Sequence, residues 1–232
     1  MSFTTKITKV TKIWMILAAT AAIAGQTPPT QTPPAQNPPA GQPGQRGGGQ
    51  GRGRGGVQVM SLTTTAWLDG GQIPAKYSQA GPETSPPLAW KDVPEGVTSF
   101  VLIVHDVDAA TTPQTGLTDV LHWMVWNIPG AARSLPAGIT HGSELADGSR
   151  QMSGTGPYYR GPGAAAAGPA HHYLFELYGL DVMVDVPAVG QSPLATRAAI
   201  IAAISGHLRA KASLVGLYKR APLAPTTSVK KR

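Results

Sequence analysis

Three segments of the chain each place ionisable side chains where an apolar run gives out. In HHYLFELYGL, strand alternation puts His171, Tyr173, Phe175 and Leu177 on one face, so an imidazole and a phenol stand two residues apart at the start of a strand. In LHWMVWN the same period groups His122 with Met124 and Trp126, a polar residue on an otherwise apolar face. In VLIVHDVDAA, Leu102, Val104, Asp106 and Asp108 share a face, so two carboxylates follow buried positions at the strand's end. Brought together, imidazole and hydroxyl donors can receive an anion such as phosphate, while a carboxylate fixes an imidazole tautomer. Taken singly, the same residues also read as hydrogen-bonded core histidines and turn-capping aspartates.

Other chemistries find less support. His105, Asp106 and Asp108 with His122 or His171 have metal-ligand side chains, but their spacing selects no metal site, and none is expected. His171 and His172 point to opposite strand faces and do not chelate together. The chain has no cysteine, which excludes a disulfide framework, thiolate metal ligands and a cysteine nucleophile. It also lacks a G-x-S-x-G elbow, a Walker-type loop and an H-E-x-x-H motif. These absences remove the easily recognised hydrolase, nucleotide-binding and zincin readings and imply no cofactor, while an enzyme without a recognisable signature stays an open alternative. The enzymatic alternative is a hydrolase or lyase using His122 and His171 as acid and base with Asp106 as orienter, for which no nucleophile is identifiable.

The elements that must position these residues are mostly strands. Ser99 to Val104, Leu121 to Ile128, Tyr173 to Leu180 and Ala212 to Tyr218 are apolar runs of strand length bounded by Gly, Pro and Asp. One helix is predicted late in the chain, with Ser192 as N-cap and Pro193 at its first position. Helical spacing predicts that it packs through Leu194, Ala198, Ile201 and Leu208, with Arg197 and Arg209 toward solvent. This order predicts a mainly β fold, an antiparallel β-sandwich with a large central sheet, a smaller second sheet and a few peripheral helices.

The folded domain is expected over 57–222. Before it, 1–24 reads as a signal peptide: basic to Lys12, apolar from Ile13, and ending on the A-x-A pattern Ala22-Ile23-Ala24. Residues 25–56 are Pro/Gln-rich and then Gly/Arg-rich, too poor in apolar side chains to offset their ordering entropy, and read as a disordered linker. Residues 223–232 form a basic tail. An exported protein, periplasmic or secreted, is the expectation. The formal charge of +7 comes from these ends: without Lys6, Lys9, Lys12, Arg46, Arg52, Arg54, Lys230, Lys231 and Arg232, the 19 basic residues fall to 10 against 12 acidic. A nearly neutral domain gives little reason to expect a specific nucleic-acid partner.

The blocks SPPLAWKDVPEGVTSFVLIVHDVDAA, LHWMVWNIPG, YYRGPGAAAAGPAHHYLFELYGLD and GHLRAKASLVGLYKR, in this order and spacing, resemble the bacterial branch of the phosphatidylethanolamine-binding family, the Raf-kinase-inhibitor-like proteins. The resemblance implies a central antiparallel sheet packed on a second sheet, with an anion pocket at the strand ends. Asp106 and Asp108 match the aspartates of the family's D-P-D-x-P motif, and His122 matches the histidine before the apolar strand. Gly163 falls at the pocket glycine, and His171 and Tyr173 match H-R-Y. Val107 and Ala110 stand where that motif has prolines, Ala164 to Ala167 replace a Pro-rich stretch, and His172 replaces the arginine. The resemblance implies a non-enzymatic binding protein whose partner is a small anion or a phospholipid head group. The alternative is an inhibitor that docks through surface loops onto a protease, kinase or other hydrolase. A homodimer is compatible with either.

Overall fold

The two longest apolar runs become the middle of a sheet because both of their faces are covered. The computed structural model describes residues 56–109 and 119–222. The expected signal peptide, all but the last residue of the expected linker, Ala110 and the basic tail lie outside the described residues. Ten strands are present among those described. They are β1 (Gln58–Val59), β2 (Ser61–Thr63), β3 (Gly71–Gln72), β4 (Leu88–Lys91), β5 (Ser99–Asp106), β6 (Val120–Pro129), β7 (Ser134–Leu135), β8 (Arg150–Met152), β9 (His171–Leu180) and β10 (Leu208–Tyr218). One α-helix, α1 (Pro193–Ile204), and a single 3-10 turn at Ala75–Tyr77 complete the set. The chain is thus mainly β, and the four expected strands are its four longest.

The large sheet runs β1-β10-β9-β5-β6-β8, with β3 also paired to β10, and the smaller one runs β2-β4-β7. Pairings from β10 through β8 are antiparallel, but β1 and β3 pair with β10 in parallel, so the large sheet is mixed rather than wholly antiparallel. β5 is buried at every position, as a strand covered on both faces must be. β10 alternates buried and exposed residues because one of its faces is open.

One face of the large sheet contributes Phe100, Leu102, Val104, Phe175, Leu177 and Leu214 to a cluster that also contains Leu62, Leu88, Trp90 and Leu135 of the smaller sheet. The opposite face contributes Val101, Ile103, Met124 and Trp126, covered by Val184 and Val186 of the segment between β9 and α1 and by Ile200 of α1. α1 begins as expected: Ser192 accepts a hydrogen bond from Ala195 N at 3.3 Å, and Pro193 follows it. Its buried face differs from expectation. Thr196 and Ile200 point inward, while Leu194 and Ile201 are 70% and 51% exposed. Leu208 belongs to β10, and Arg197 turns inward to pair with Asp119, although Arg209 does remain exposed. A helix that is apolar nearly all round carries no periodic signal for which side is covered. Full burial of the Ile200 side chain contributes about 1.5–3 kcal/mol.

Candidate functional site

Asp106 ends β5 with Tyr173 of β9 opposite it on one side and Val120 of β6 on the other, so three strands finish at one place. β6 carries an irregularity there. Val104 pairs with Trp123 and His105 with Leu121, leaving His122 as an extra residue. Simple alternation puts His122 with Met124 and Trp126; the bulge instead turns it to the face of Tyr173, with ring centroids 5.1 Å apart at 80°.

Each polar side chain is held by a specific partner. Asp106, 2% exposed, accepts from Asp108 N and Ala109 N through Oδ1, both at 3.0 Å. These bonds shape the turn where the family motif uses prolines, and Val107 N donates to His172 O at 3.3 Å, which a proline there could not do. Asp106 Oδ2 lies 2.9 Å from His171 Nδ1. A carboxylate only accepts, so Nδ1 carries the donated proton and Nε2 is left over. His122 Nδ1 donates to Arg160 O at 2.9 Å, which fixes the same tautomer. Burial, the largest influence on this ring, lowers its pKa and favours the neutral form. The Tyr173 hydroxyl accepts from Gly163 N and Ala164 N at 3.2 Å each. Burial first and the Asp106 carboxylate second push the phenol's pKa up, so it stays protonated.

These groups line a pocket of about 290 Å³ together with Gln79, Ala109, Val120, Ala164 and Ala165. Of the residues selected from sequence, Asp106, His122, Gly163, His171 and Tyr173 meet there. Asp108 does not: its Oδ2 accepts from His172 N at 2.7 Å and faces His172 Nδ1 at 2.7 Å, in a largely exposed pair outside the pocket. Gly163 is needed for close approach, since a Cβ there would lie 2.4 Å from Gln79 Nε2. Gln79 carries no sequence signal because it comes from a distant loop. Its Oε1 accepts from Arg160 at 3.0 Å, and its Nε2 donates to Gly161 O at 2.8 Å.

A second polar cluster lies on the opposite face of the sheet. His105 Nδ1 contacts Asp119, and Nε2 lies 3.0 Å from Glu176. Arg197 grips Asp119 with both terminal nitrogens, one at 2.8 Å. Burial opposes charge on His105, but hydrogen bonds to Glu176 and Asp119 outweigh it and raise the pKa. Burial likewise opposes ionisation of Asp119, yet hydrogen bonds from Arg197 and His105 bring its pKa down to about 2. Sequence reasoning weighed His105 only as a metal ligand and missed Asp119, Glu176 and Arg197. Among the described residues, no group of three His, Cys, Asp or Glu is arranged to hold a metal ion, and no helix is long and apolar enough to cross a membrane.

A mainly β chain with a polar pocket at its strand ends is a ligand-binding fold. The sequence profile of the phosphatidylethanolamine-binding protein family matches residues 63–219, and the chain belongs to that family. It is similar to a UPF0098 protein of Methanothermobacter thermautotrophicus, 37% identical over 164 residues, covering 69% of this chain and 99% of the relative. A UPF0098 protein of Aquifex aeolicus is 32% identical, covering 71% and 91%. Among solved structures, a phosphatidylethanolamine-binding protein homologue from Chlamydia trachomatis aligns with a TM-score of 0.57 at 30% identity, covering 71% of this chain and 99% of that one. YbcL of E. coli, described as a member of the mammalian family, aligns at 0.59 and 25% identity, covering 69% and 98%.

Proposed function

We propose that this protein is a non-enzymatic binding protein whose pocket receives a small oxyanion: a phosphate, a carboxylate or a phospholipid head group. The observation that carries the reading is the convergence of two imidazoles, each held through Nδ1, with the Tyr173 hydroxyl around one small pocket. A protonated imidazole in such a place makes a charge-assisted hydrogen bond to an anion. The cluster shared between the two sheets supports reading them as the layers of a sandwich, with the pocket at one end. The basic and then apolar N-terminal sequence supports an exported protein, periplasmic or secreted.

Calorimetric titration of the full chain with acetate, phosphate and phosphoethanolamine tests the proposal. At least one should bind, and His171→Ala should weaken binding while leaving the thermal unfolding cooperative. Equal binding by the variant, or no binding of any anion by the parent, would sink it.

A further inference from the structure

Behind the pocket wall, a web of hydrogen bonds converges on a residue held in an unfavourable backbone conformation. Among the described residues, three that are not glycine have positive φ: Glu83 at 50°, Asp92 at 63° and Asn127 at 59°. Asp and Asn enter the left-handed region more readily than glutamate, so Glu83 is the strained one of the three. Such a conformation persists only where surrounding contacts over-determine it. The Glu83 carboxylate supplies those contacts: Oε2 accepts from Gly161 N at 3.2 Å, and Oε1 accepts from the Arg160 guanidinium at 3.3 Å. Glu83, Arg160 and Gly161 all lie outside the pocket lining.

Arg160 acts on that lining twice. Its backbone exchanges two hydrogen bonds with His122, Arg160 N donating to His122 O and His122 Nδ1 donating to Arg160 O, each at 2.9 Å. The imidazole is thereby held with its proton on Nδ1. The guanidinium donates to Gln79 Oε1 at 3.0 Å, Arg220 donates to the same oxygen at 3.4 Å, and Gln79 Nε2 donates to Gly161 O at 2.8 Å. With the amide reversed, its N–H groups would face two guanidinium donors and its oxygen would face a carbonyl, so one orientation holds. Nε2 then sits over Gly163, where a Cβ would come within 2.4 Å of it, and its second N–H has no acceptor among the described residues.

We infer that Glu83 and Arg160 are positioning residues for the pocket: Glu83, in its strained conformation, anchors Arg160, and Arg160 sets both the His122 tautomer and the direction of the Gln79 amide. This rests on the pocket reading proposed above and adds to it two residues outside the lining. A neutral N–H whose direction is set before a ligand arrives needs little further ordering on binding. The two arms of the web are separable. The His122 tautomer depends on the Arg160 carbonyl, and the Gln79 orientation depends on the Arg160 guanidinium.

Glu83→Gly separates positioning from a merely structural role, because glycine relieves the left-handed strain while removing the carboxylate. Its thermal midpoint should be no lower than that of Glu83→Ala, which keeps the strain, yet both variants should lose order in the pocket wall. That order is read by NMR without ligand. In the parent protein, the Gln79 amide proton bonded to Gly161 O should exchange with solvent more slowly than its geminal partner, and the His122 ¹⁵N shifts should place the proton on Nδ1. Glu83→Gly should abolish the exchange difference and mix the His122 tautomers, and Glu83→Gln, which keeps an acceptor oxygen, should restore both in part. Arg160→Met should free the Gln79 amide and leave the His122 tautomer as it is. Acetate and inorganic phosphate, titrated in parallel, give the binding readout. Whichever of them the parent binds should bind Glu83→Gly about tenfold more weakly, the equivalent of about one hydrogen bond. Should Glu83→Gly fail to fold, Arg160→Met carries the same test through the Gln79 amide and the affinity. Unchanged amide exchange and His122 shifts, or unchanged affinity, would overturn the inference and leave the pocket reading standing. No binding of either anion by the parent would overturn both.

Discussion

Two clusters built from the same residue types lie on opposite faces of one sheet, and adjacent residues of β5 anchor them: Asp106 in the pocket and His105 behind it. Behind the sheet, both ring nitrogens of His105 meet carboxylates, and both terminal nitrogens of Arg197 meet Asp119. In the pocket, each imidazole has one partner and one free nitrogen beside open volume. Although Arg197 Nε is buried without a partner among the described residues, the imidazole behind the sheet is saturated and serves structure, whereas imidazoles that keep a free nitrogen are able to bind. Residue type alone does not distinguish the two.

The largest effects should come from breaking the saturated cluster. Arg197→Met leaves the partly buried Asp119 with only His105 and should cost about 2–4 kcal/mol in urea unfolding. Ile200→Ala, beneath the same helix, should cost a similar about 2–4 kcal/mol, whereas Ile201→Ala should stay within about 0.5 kcal/mol. A cost for Ile201 above that of Ile200 would contradict the placement of the helix.

This cluster also sets a pH profile. Asp119 and Glu176 have lowered pKa values, so their stabilisation is present above their ordinary range and is lost on acidification, for Asp119 as pH falls from about 4 toward 2. His105 has a raised pKa, so its contribution is full below 6.5 and is lost as pH rises through its folded value. Thermal midpoints measured from about pH 3 to 9 should therefore peak on the acid side of neutrality. His105→Asn should remove the alkaline decline.

In the pocket, effects on stability should be smaller and effects on binding larger. Gly163→Ala drives a methyl group into Gln79, which Arg160 and Gly161 hold in place, and should cost about 1–2 kcal/mol and weaken phosphate binding. Adding Gln79→Ala should recover part of the stability but not the binding. The smallest effect is expected for Asp108→Ala. Its pair with His172 is exposed and outside the pocket, so stability should change by less than about 0.5 kcal/mol and anion affinity should not change.

Much of this arrangement was readable in the sequence. Long apolar runs such as SFVLIV must be buried strands, and polar residues at their ends must gather where the strands end. His122 was placed on the wrong face because a bulge inserts one residue into a period of two, and nothing in LHWMVWN marks it. Asp108 shares strand parity with Asp106, but the turn held by the Asp106 side chain starts between them and ends the alternation. Gln79 reaches the pocket by tertiary folding, held there by Arg160 about eighty residues away, which local patterning does not register.

The central claim is that the unsaturated cluster binds and the saturated one does not. Titration of isotopically labelled protein with phosphate, followed by backbone and imidazole NMR shifts, tests it most directly. The account predicts saturable shifts at Gly163, Ala164, His122 and His171, with His105 and Arg197 unmoved. Saturable shifts centred on His105 and Arg197, with the Gly163 and His171 signals unchanged, would contradict it.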